Sequence, residues 1–428
     1  MDFKRLIIID PGMYKESGHH LAYNSSIQAA CLQAGLPAYF LFNSRTPPGI
    51  MASFQAALPW FNVPFYEDFS KLAPEERYAR EQLKAEKLAE SLRLVQTLEL
   101  ASPQATTPRL VIDRQTLLLA HSGNAWLALG LALWFAGLPR EQRPCLCLNL
   151  FQYEAGAPFR NILQSVGALF KGEPGVRIFA GFGSIAPRLA EILKIKVEVF
   201  PAPLPQTALA DAGRRPDLGT LAFGLVGELR PGKNFEIIPP AVLGYLRGGG
   251  AGNFVFHVAP TDTRLKDALL LLSDISDRFP GRVSLKRAYL QPEEYYATLR
   301  SLSALILPYS QKGSYVASGL AQEALALGLP MIFCRGGAIE EEWRLAYKTA
   351  GVETCITPLL MERPAPENLL AALRDCAANF SAHSRGARQA ATPYRAFHNR
   401  DNLLRGLLRT DPVIPVPDAS IFYNPASS

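Results

Sequence analysis

Four groups of residues in this sequence have the types and spacing to do chemistry, and each lies just after a short apolar run of strand character. The first is Gly227-Glu228-Leu229-Arg230-Pro231-Gly232-Lys233-Asn234, directly after LAFGLV. Two cations three residues apart on a strand-to-helix turn can both face one diphosphate. Arg230 offers a bidentate fork and Lys233 a point charge, while the helix start adds its positive dipole end. Most RxxK strings are solvated basic turns, and only the place at a strand's carboxyl end lifts this one. The second group centres on Glu323 in QEALALGLP, after a small and polar stretch at 310–319. A carboxylate there can accept both hydroxyls of a ribose, and the small residues let backbone N–H groups approach phosphate. The same Glu also suits a helix that merely needs negative charge near its start.

The third group is DPGMYKESGHH at 10–20. Gly18 permits close backbone approach to a diphosphate, and Lys15 and His19 are candidate contacts, although one of the paired histidines can equally cap the next helix. The spacing is not GxGxxG, which argues against a simple dinucleotide-binding protein. The fourth is His121, which ends LLLAH ahead of Ser122-Gly123-Asn124, a helix start. An imidazole at the edge of a site can donate to a sugar hydroxyl; a satisfied strand-end histidine is the equal alternative. His257 in FVFHV carries the same ambiguity. Phe151-Gln152-Tyr153-Glu154 offers polar contacts to an acceptor. The glycine-rich run at 248–252 follows a helix and precedes a strand, so it reads as a connection at the far end of a sheet.

The elements that position these groups alternate between strand and helix patterns, which predicts an α/β protein with parallel sheets. Expected strands in the first half are 6–10, 38–42, 117–121, 145–150, 177–180 and 197–200, with helices at 21–34, 124–136, 160–169 and 184–193. The second half predicts strands at 221–226, 254–258, 283–286, 304–307, 331–334 and 354–356. Its helices fall at 239–246, 264–279, 292–302, 319–327, 340–350, 366–389 and 394–408. The insertion at 74–100 reads as a surface loop and a long amphipathic helix, packed on the sheet in preference to meeting an acceptor or a membrane. The proline-rich stretch 201–218 reads as a linker. Three parts follow: a first domain at 1–204, a second at 219–390, and a helix with an irregular tail at 391–428. Two doubly wound sheets would bind a ligand in a cleft at the carboxyl ends of their strands.

Composition sets the outer bounds. A chain of 428 residues, 48% hydrophobic and 19% charged, has material for two or three domains. A net charge of +6 suits a polyanionic ligand such as a nucleotide diphosphate, or loose contact with an anionic membrane surface, and separates neither from an ordinary surface. No basic run with interleaved aromatics points to nucleic acid. The most apolar stretch, 125–138, is fourteen residues, short of the roughly twenty that span a bilayer, and reads as a buried helix. MDFKRLIIIDPG reads as a first strand and not as a signal peptide. Six cysteines without metal-ligand spacing read as reduced core residues, and the expected location is cytoplasmic, with peripheral contact at the inner face of a membrane.

Together these stretches resemble the retaining glycosyltransferases of GT-B architecture, in particular glycosyltransferase family 4, best over 219–360. The carrying strings are GELRPGKN, then QPEEYYATLRSLSALILPYS, then QEALALGLP. The resemblance implies two Rossmann-like domains facing a cleft and a UDP- or GDP-sugar donor. It implies no metal or other cofactor, and an acceptor that is a glycan, a lipid or a protein. It implies that Arg230 and Lys233 bind and stabilise the diphosphate, that Glu323 holds the ribose, and that 288–290, with Tyr289 and Leu290, meets the base. Gly18 and His19 would contact the donor, and His121 would lie near the transferred sugar. The family usually has an acidic residue eight positions before the ribose glutamate, and here that position is Tyr315. Sugar recognition would then pass to Ser314, Tyr315 or Val316 and the backbone beside them, or transfer has been lost. Without a placed nucleophile, the expected route is front-face substitution in which the leaving diphosphate helps take the acceptor proton. A non-catalytic partner subunit and a sugar-nucleotide epimerase are the competing readings.

Overall fold

The strand and helix patterns alternate twice, and each round builds a parallel sheet. The computed structural model describes residues 3–14, 19–65, 72–95, 110–154, 156–204, 220–229, 232–260, 265–309, 314–352 and 358–408. The chain divides into two units. Unit 1 comprises 1–203, 313–317 and 399–428, and unit 2 comprises 204–312 and 318–398.

In unit 1 the strands are β1 (Arg5–Asp10), β2 (Ala38–Asn43), β3 (Ala57–Phe61), β4 (Thr116–Gly123), β5 (Cys145–Leu150), β7 (Val176–Ala180) and β8 (Val197–Val199). They lie in the order β3-β2-β1-β4-β5-β7-β8, all parallel. The order reverses between β1 and β4, and such a reversal opens a crevice at the carboxyl ends of an α/β sheet. β4 is buried along its whole length, which is why 117–120 is a continuous apolar run and not an alternation. The helices are α1 (His19–Gln33), α2 (Pro48–Ala52), α3 (Pro74–Val95), α4 (Ala125–Ala136), α5 (Ala157–Phe170) and α6 (Ala186–Leu193).

Helix α4 is apolar on every side because α3, α5 and β5 enclose it. The Asn124 side chain caps it by accepting the Leu127 amide at 3.1 Å. Gly130 is where α3 crosses closely: a Cβ there would stand 2.7 Å from the Ala85 carbonyl oxygen. Helix α3 therefore packs its Leu88, Ala89 and Leu92 face inward.

Unit 2 contains β9 (Ala222–Leu229), β10 (Asn253–Pro260), β11 (Val283–Lys286), β12 (Ala304–Leu307), β14 (Met331–Cys334) and β15 (Leu359–Met361). The order is β11-β10-β9-β12-β14-β15, again all parallel, with the reversal between β9 and β12. Its helices are α7 (Ile238–Arg247), α8 (Lys266–Arg278), α9 (Pro292–Ser301), α10 (Gly319–Leu327), α11 (Ala338–Thr349), α12 (Pro366–Ala378) and α13 (Phe380–Phe397). The glycine run at 248–252 joins α7 to β10, and Arg282 holds the carbonyls of Gly250 and Gly252, each at 2.7 Å. It is a connection, as its place in the sequence implies.

The segment ALPWF, where no strand was expected, forms β3 despite its internal proline. Two helix expectations are corrected. The stretch 366–389 is two helices, broken at Asn379. The helix expected over 394–408 is also two: α13 ends at Phe397, and α14 (Arg400–Leu408) starts beyond Asn399, whose side chain accepts the Asn402 amide at 2.8 Å. The boundary at 390 thus falls inside α13, and α14 joins unit 1, where Leu403 and Leu407 pack with Leu6, Ile8, Ile27 and Leu117. A strand at 354–356 lies outside the described residues, as does most of the linker.

A two-stranded antiparallel sheet completes unit 1. β6 (Gln152–Glu154) pairs with β13 (Ser314–Val316), Tyr153 opposite Tyr315. The chain leaves unit 2 after β12 and returns to it at Ser318.

Helix α5 meets the end of α6 at Gly167, where a Cβ would stand 2.0 Å from the Leu193 carbonyl oxygen. Backbone cannot yield as a flexible side chain does. Gly167→Ala is expected to destabilise the protein by about 1–3 kcal/mol, read as a lower midpoint in urea unfolding.

Candidate functional site

Unit 2 gathers polar groups around the strands that flank its reversal. Gly227, inside β9, takes positive φ (104°), and the turn that follows has Gly232 at 83° and Asn234 left-handed at 47°. The Asn234 side chain donates to the Pro308 carbonyl at 2.7 Å, pinning this turn to the end of β12. Lys233 is half-buried; its Nζ donates to the Glu228 carbonyl and lies 5.2 Å from the Tyr309 ring centroid. The Tyr289 hydroxyl donates to Glu228 Oε1 at 3.1 Å, while its ring is 50% exposed. Lys233 and Tyr289 are thus brought to one residue, Glu228. Arg230 lies outside the described residues.

Glu323 sits in α10, whose cap is Ser318, accepting the Ala321 amide at 3.3 Å. The carboxylate is past the first turn and takes no part in capping, which removes the helix-dipole explanation for it. Instead it accepts two hydroxyls from α9, Tyr295 at 2.5 Å and Tyr296 at 3.0 Å. Burial pushes its pKa up to about 7, against the two hydroxyl hydrogen bonds, which favour the charged form. Burial and the adjacent carboxylate also drive the Tyr295 phenol well above its usual range.

The segment with Ser314, Tyr315 and Val316 belongs to unit 1: its backbone is laddered to β6, and the Ala317 amide continues the pairing onto the Phe151 carbonyl at 2.8 Å. Leu290 is half-buried next to Tyr289. His257 is engaged by Thr298 at 3.2 Å, and burial, followed by the nearby Lys286 charge, lowers its pKa.

In unit 1 the reversal between β1 and β4 holds a second constellation. Asp10, 2% exposed, is reached by the Gly12 amide at 3.1 Å, His20 Nδ1 at 2.7 Å, Asn24 Nδ2 at 2.6 Å and His121 Nε2 at 3.4 Å. Burial would raise the Asp10 pKa, but the His20 charge and the hydrogen bonds from His121 and His20 outweigh it and hold the carboxyl well below its ordinary range. Gly12 makes room for His20: a Cβ there would stand 2.3 Å from the imidazole Cε1. His121 has no exposed surface; Asn24 Oδ1 meets its Nε2 at 2.9 Å and Ser122 Oγ its Nδ1 at 2.8 Å. Both ring nitrogens are engaged inside the protein, the arrangement of a satisfied strand-end histidine. His19 opens α1, and Gly18 lies outside the described residues.

Sequence reasoning missed Asp10, His20, Asn24, Tyr295 and Tyr296. A carboxylate ending a strand before a Pro-Gly turn was the available signal for Asp10. Among the described residues no group of three or more His, Cys, Asp or Glu could hold a metal ion, and Cys145 and Cys147 are core residues of β5.

Two parallel sheets with this pair of reversals define the GT-B fold. Similar solved structures include sucrose-phosphate synthase from Thermosynechococcus elongatus (TM-score 0.63, 14% identity, 95% of this chain and 98% of that one). HepE of Anabaena in complex with UDP-glucose matches with a TM-score of 0.59 at 12% identity over 95% and 98% of the two chains. The catalytic domain of starch synthase IV from Arabidopsis thaliana, bound to ADP and acarbose, gives 0.52 at 11% over 91% and 95%. No family model matches the sequence, and no curated protein sequence matches it. The likeness is one of fold, to nucleotide-sugar glycosyltransferases. Among the described residues no helix is long and apolar enough to cross a membrane.

The Glu323 carboxyl titrates in the fold near pH 7 against an ordinary 4.5, so the folded chain holds the proton more tightly between those values. Stability from this group falls as pH rises through that window and levels off above it. Thermal melts from pH 5 to 8 should show this component in the natural protein and lose it in Glu323→Gln; an unchanged slope would count against the assignment.

Proposed function

We propose that the protein is a retaining hexosyltransferase that moves a sugar from a UDP- or GDP-sugar to a glycan, lipid or protein acceptor. The observation that carries this reading is the arrangement in unit 2: a lysine after β9 and a half-buried carboxylate after β12, one on each side of the sheet's reversal. A diphosphate calls for the first and a ribose diol for the second. In this reading Lys233, with Arg230 of the same turn, meets the charge that develops on the departing diphosphate, the largest contribution a fixed cation can make to such a transfer. Glu323 holds the ribose, and the half-exposed Tyr289 ring lies beside the base. The fold supports the reading through the HepE structure, whose bound ligand is UDP-glucose. Front-face substitution with retention follows from the family resemblance. Cytoplasmic placement with peripheral membrane contact belongs to the same proposal.

A second reading, a GT-B protein that binds nucleotide-sugar without transferring it, is favoured by one observation. The stretch around Tyr315, where relatives supply an acidic sugar contact, is committed to a ladder with β6.

A panel of UDP- and GDP-sugars, followed for transfer and for donor hydrolysis, separates the two. Lys233→Ala should lower turnover at least tenfold, about 1.4 kcal/mol of barrier, while His257→Ala stays within about twofold. Equal, small losses would remove the reading, and tight nucleotide binding without turnover would favour the second.

A further inference from the structure

The hydrogen bonds around Asp10 run in one direction: donor and acceptor chemistry fixes it as far as His121 Nε2, and a neutral imidazole completes it at Ser122. An ionised carboxylate only accepts, so the Asn24 group that meets Asp10 Oδ2 at 2.6 Å must be its NH2. Asn24 Oδ1 is then left facing His121 Nε2 at 2.9 Å, and being an acceptor it requires a proton on that nitrogen. The 3.4 Å approach of Nε2 to Asp10 Oδ2 demands the same proton. In neutral His121 the other nitrogen, Nδ1, is therefore bare. It accepts from the Ser122 hydroxyl, 2.8 Å away. The chain reads Ser122 O–H to His121, His121 N–H to Asn24, and Asn24 N–H to Asp10.

Burial grades along this chain. Asn24 and His121 have no exposed surface, Asp10 is 2% exposed, and Ser122 is its most exposed member at 8%. Ser122 is also at the carboxyl end of β4, on the reversal where α/β sheets take ligands. With its proton committed inward, its oxygen can offer a ligand only lone pairs. A phosphate or carboxylate, which also only accepts, is disfavoured there, and a hydroxyl group is suited.

We infer that Ser122 is the group in unit 1 that receives a sugar hydroxyl, and that His121, Asn24 and Asp10 are positioning residues that fix its polarity. This rests on the nucleotide-sugar reading for the identity of the ligand, and on unit 1 alone for the chain. It moves the ligand contact from the enclosed imidazole to the hydroxyl beside it.

Two measurements test it. In protein labelled with 15N at its six histidines, the two-bond proton–nitrogen spectrum should show His121 protonated at Nε2 and bare at Nδ1, with the signal assigned by its loss in His121→Gln. The opposite tautomer, or an imidazolium protonated at both nitrogens, overturns the chain whatever the ligand is. Calorimetry with UDP and UDP-glucose as probes tests the contact. Ser122→Ala should weaken UDP-glucose about tenfold and leave UDP within about twofold, while Ser122→Thr, which keeps the hydroxyl, retains most of the affinity. If UDP binds and both probes respond alike to Ser122→Ala, or neither responds, the inference falls and the nucleotide-sugar reading stands. If neither probe binds the natural protein, the nucleotide-sugar reading fails and takes the Ser122 contact with it.

Discussion

Asp10 sets the terms for unit 1. An ionised carboxylate withdrawn from water costs several kcal/mol unless its lone pairs are filled, so the segments around it must deliver donors. The Gly12 amide comes from the turn after β1, His20 and Asn24 from the first two turns of α1, and His121 from the end of β4. The register of β1 against β4, the entry angle of α1 and the bare glycine at position 12 are consequences of one buried charge. A side chain at Gly12 would displace His20, and Asp10 would lose its imidazole partner at 2.7 Å.

Glu323 shows the opposite solution in unit 2. Its two donors are neutral phenols, which cannot offset burial as an imidazole beside Asp10 does, and the carboxyl is held near neutrality. The difference is one of purpose as much as packing. A fully satisfied carboxylate is a scaffold. One with two hydroxyl donors already in place shows the geometry in which further hydroxyls would be accepted, and its remaining lone pairs keep that capacity. The tyrosines of α9 thus show Glu323 accepting hydroxyl donors, the chemistry the proposed ribose contact needs.

Legibility from sequence followed the range of the interactions. Both sheets could be read, because strands buried on both faces leave apolar runs that no exposed segment would tolerate, and Lys233 and Glu323 stood out because each follows such a run. β3 was hidden by its proline, and β6 and β13 by their length of three residues, since they exist only through pairing across a sequence separation that no local pattern records. The Asp10 cluster was hidden for the same reason: His121 and Asn24 are 97 positions apart. His19 and His20 could not be told apart by spacing, and it took the turn at Gly12 to place His20 against Asp10. No local pattern assigned the tyrosine pair at 295–296 a partner, and only the fold turns both hydroxyls onto one carboxylate.

The same long-range logic governs how the units are made. Unit 1 is not a continuous stretch of chain, because β13 and α14 belong to it while the segments before them belong to unit 2. Leu403 and Leu407 of α14 are buried against Leu6 and Ile8 of the first strand, and the side chain of Arg177 in β7 donates to the Gly406 carbonyl. Fully burying a leucine contributes roughly 1.5–3 kcal/mol, so these two supply about 3–6 kcal/mol against a usual net stability of about 5–15 kcal/mol. A share that large means the core of unit 1 is completed only when the last helix of unit 2 has been made and the chain has returned. The break at His398 and Asn399, inside what the sequence reads as one helix over 394–408, is the point where unit 1 resumes.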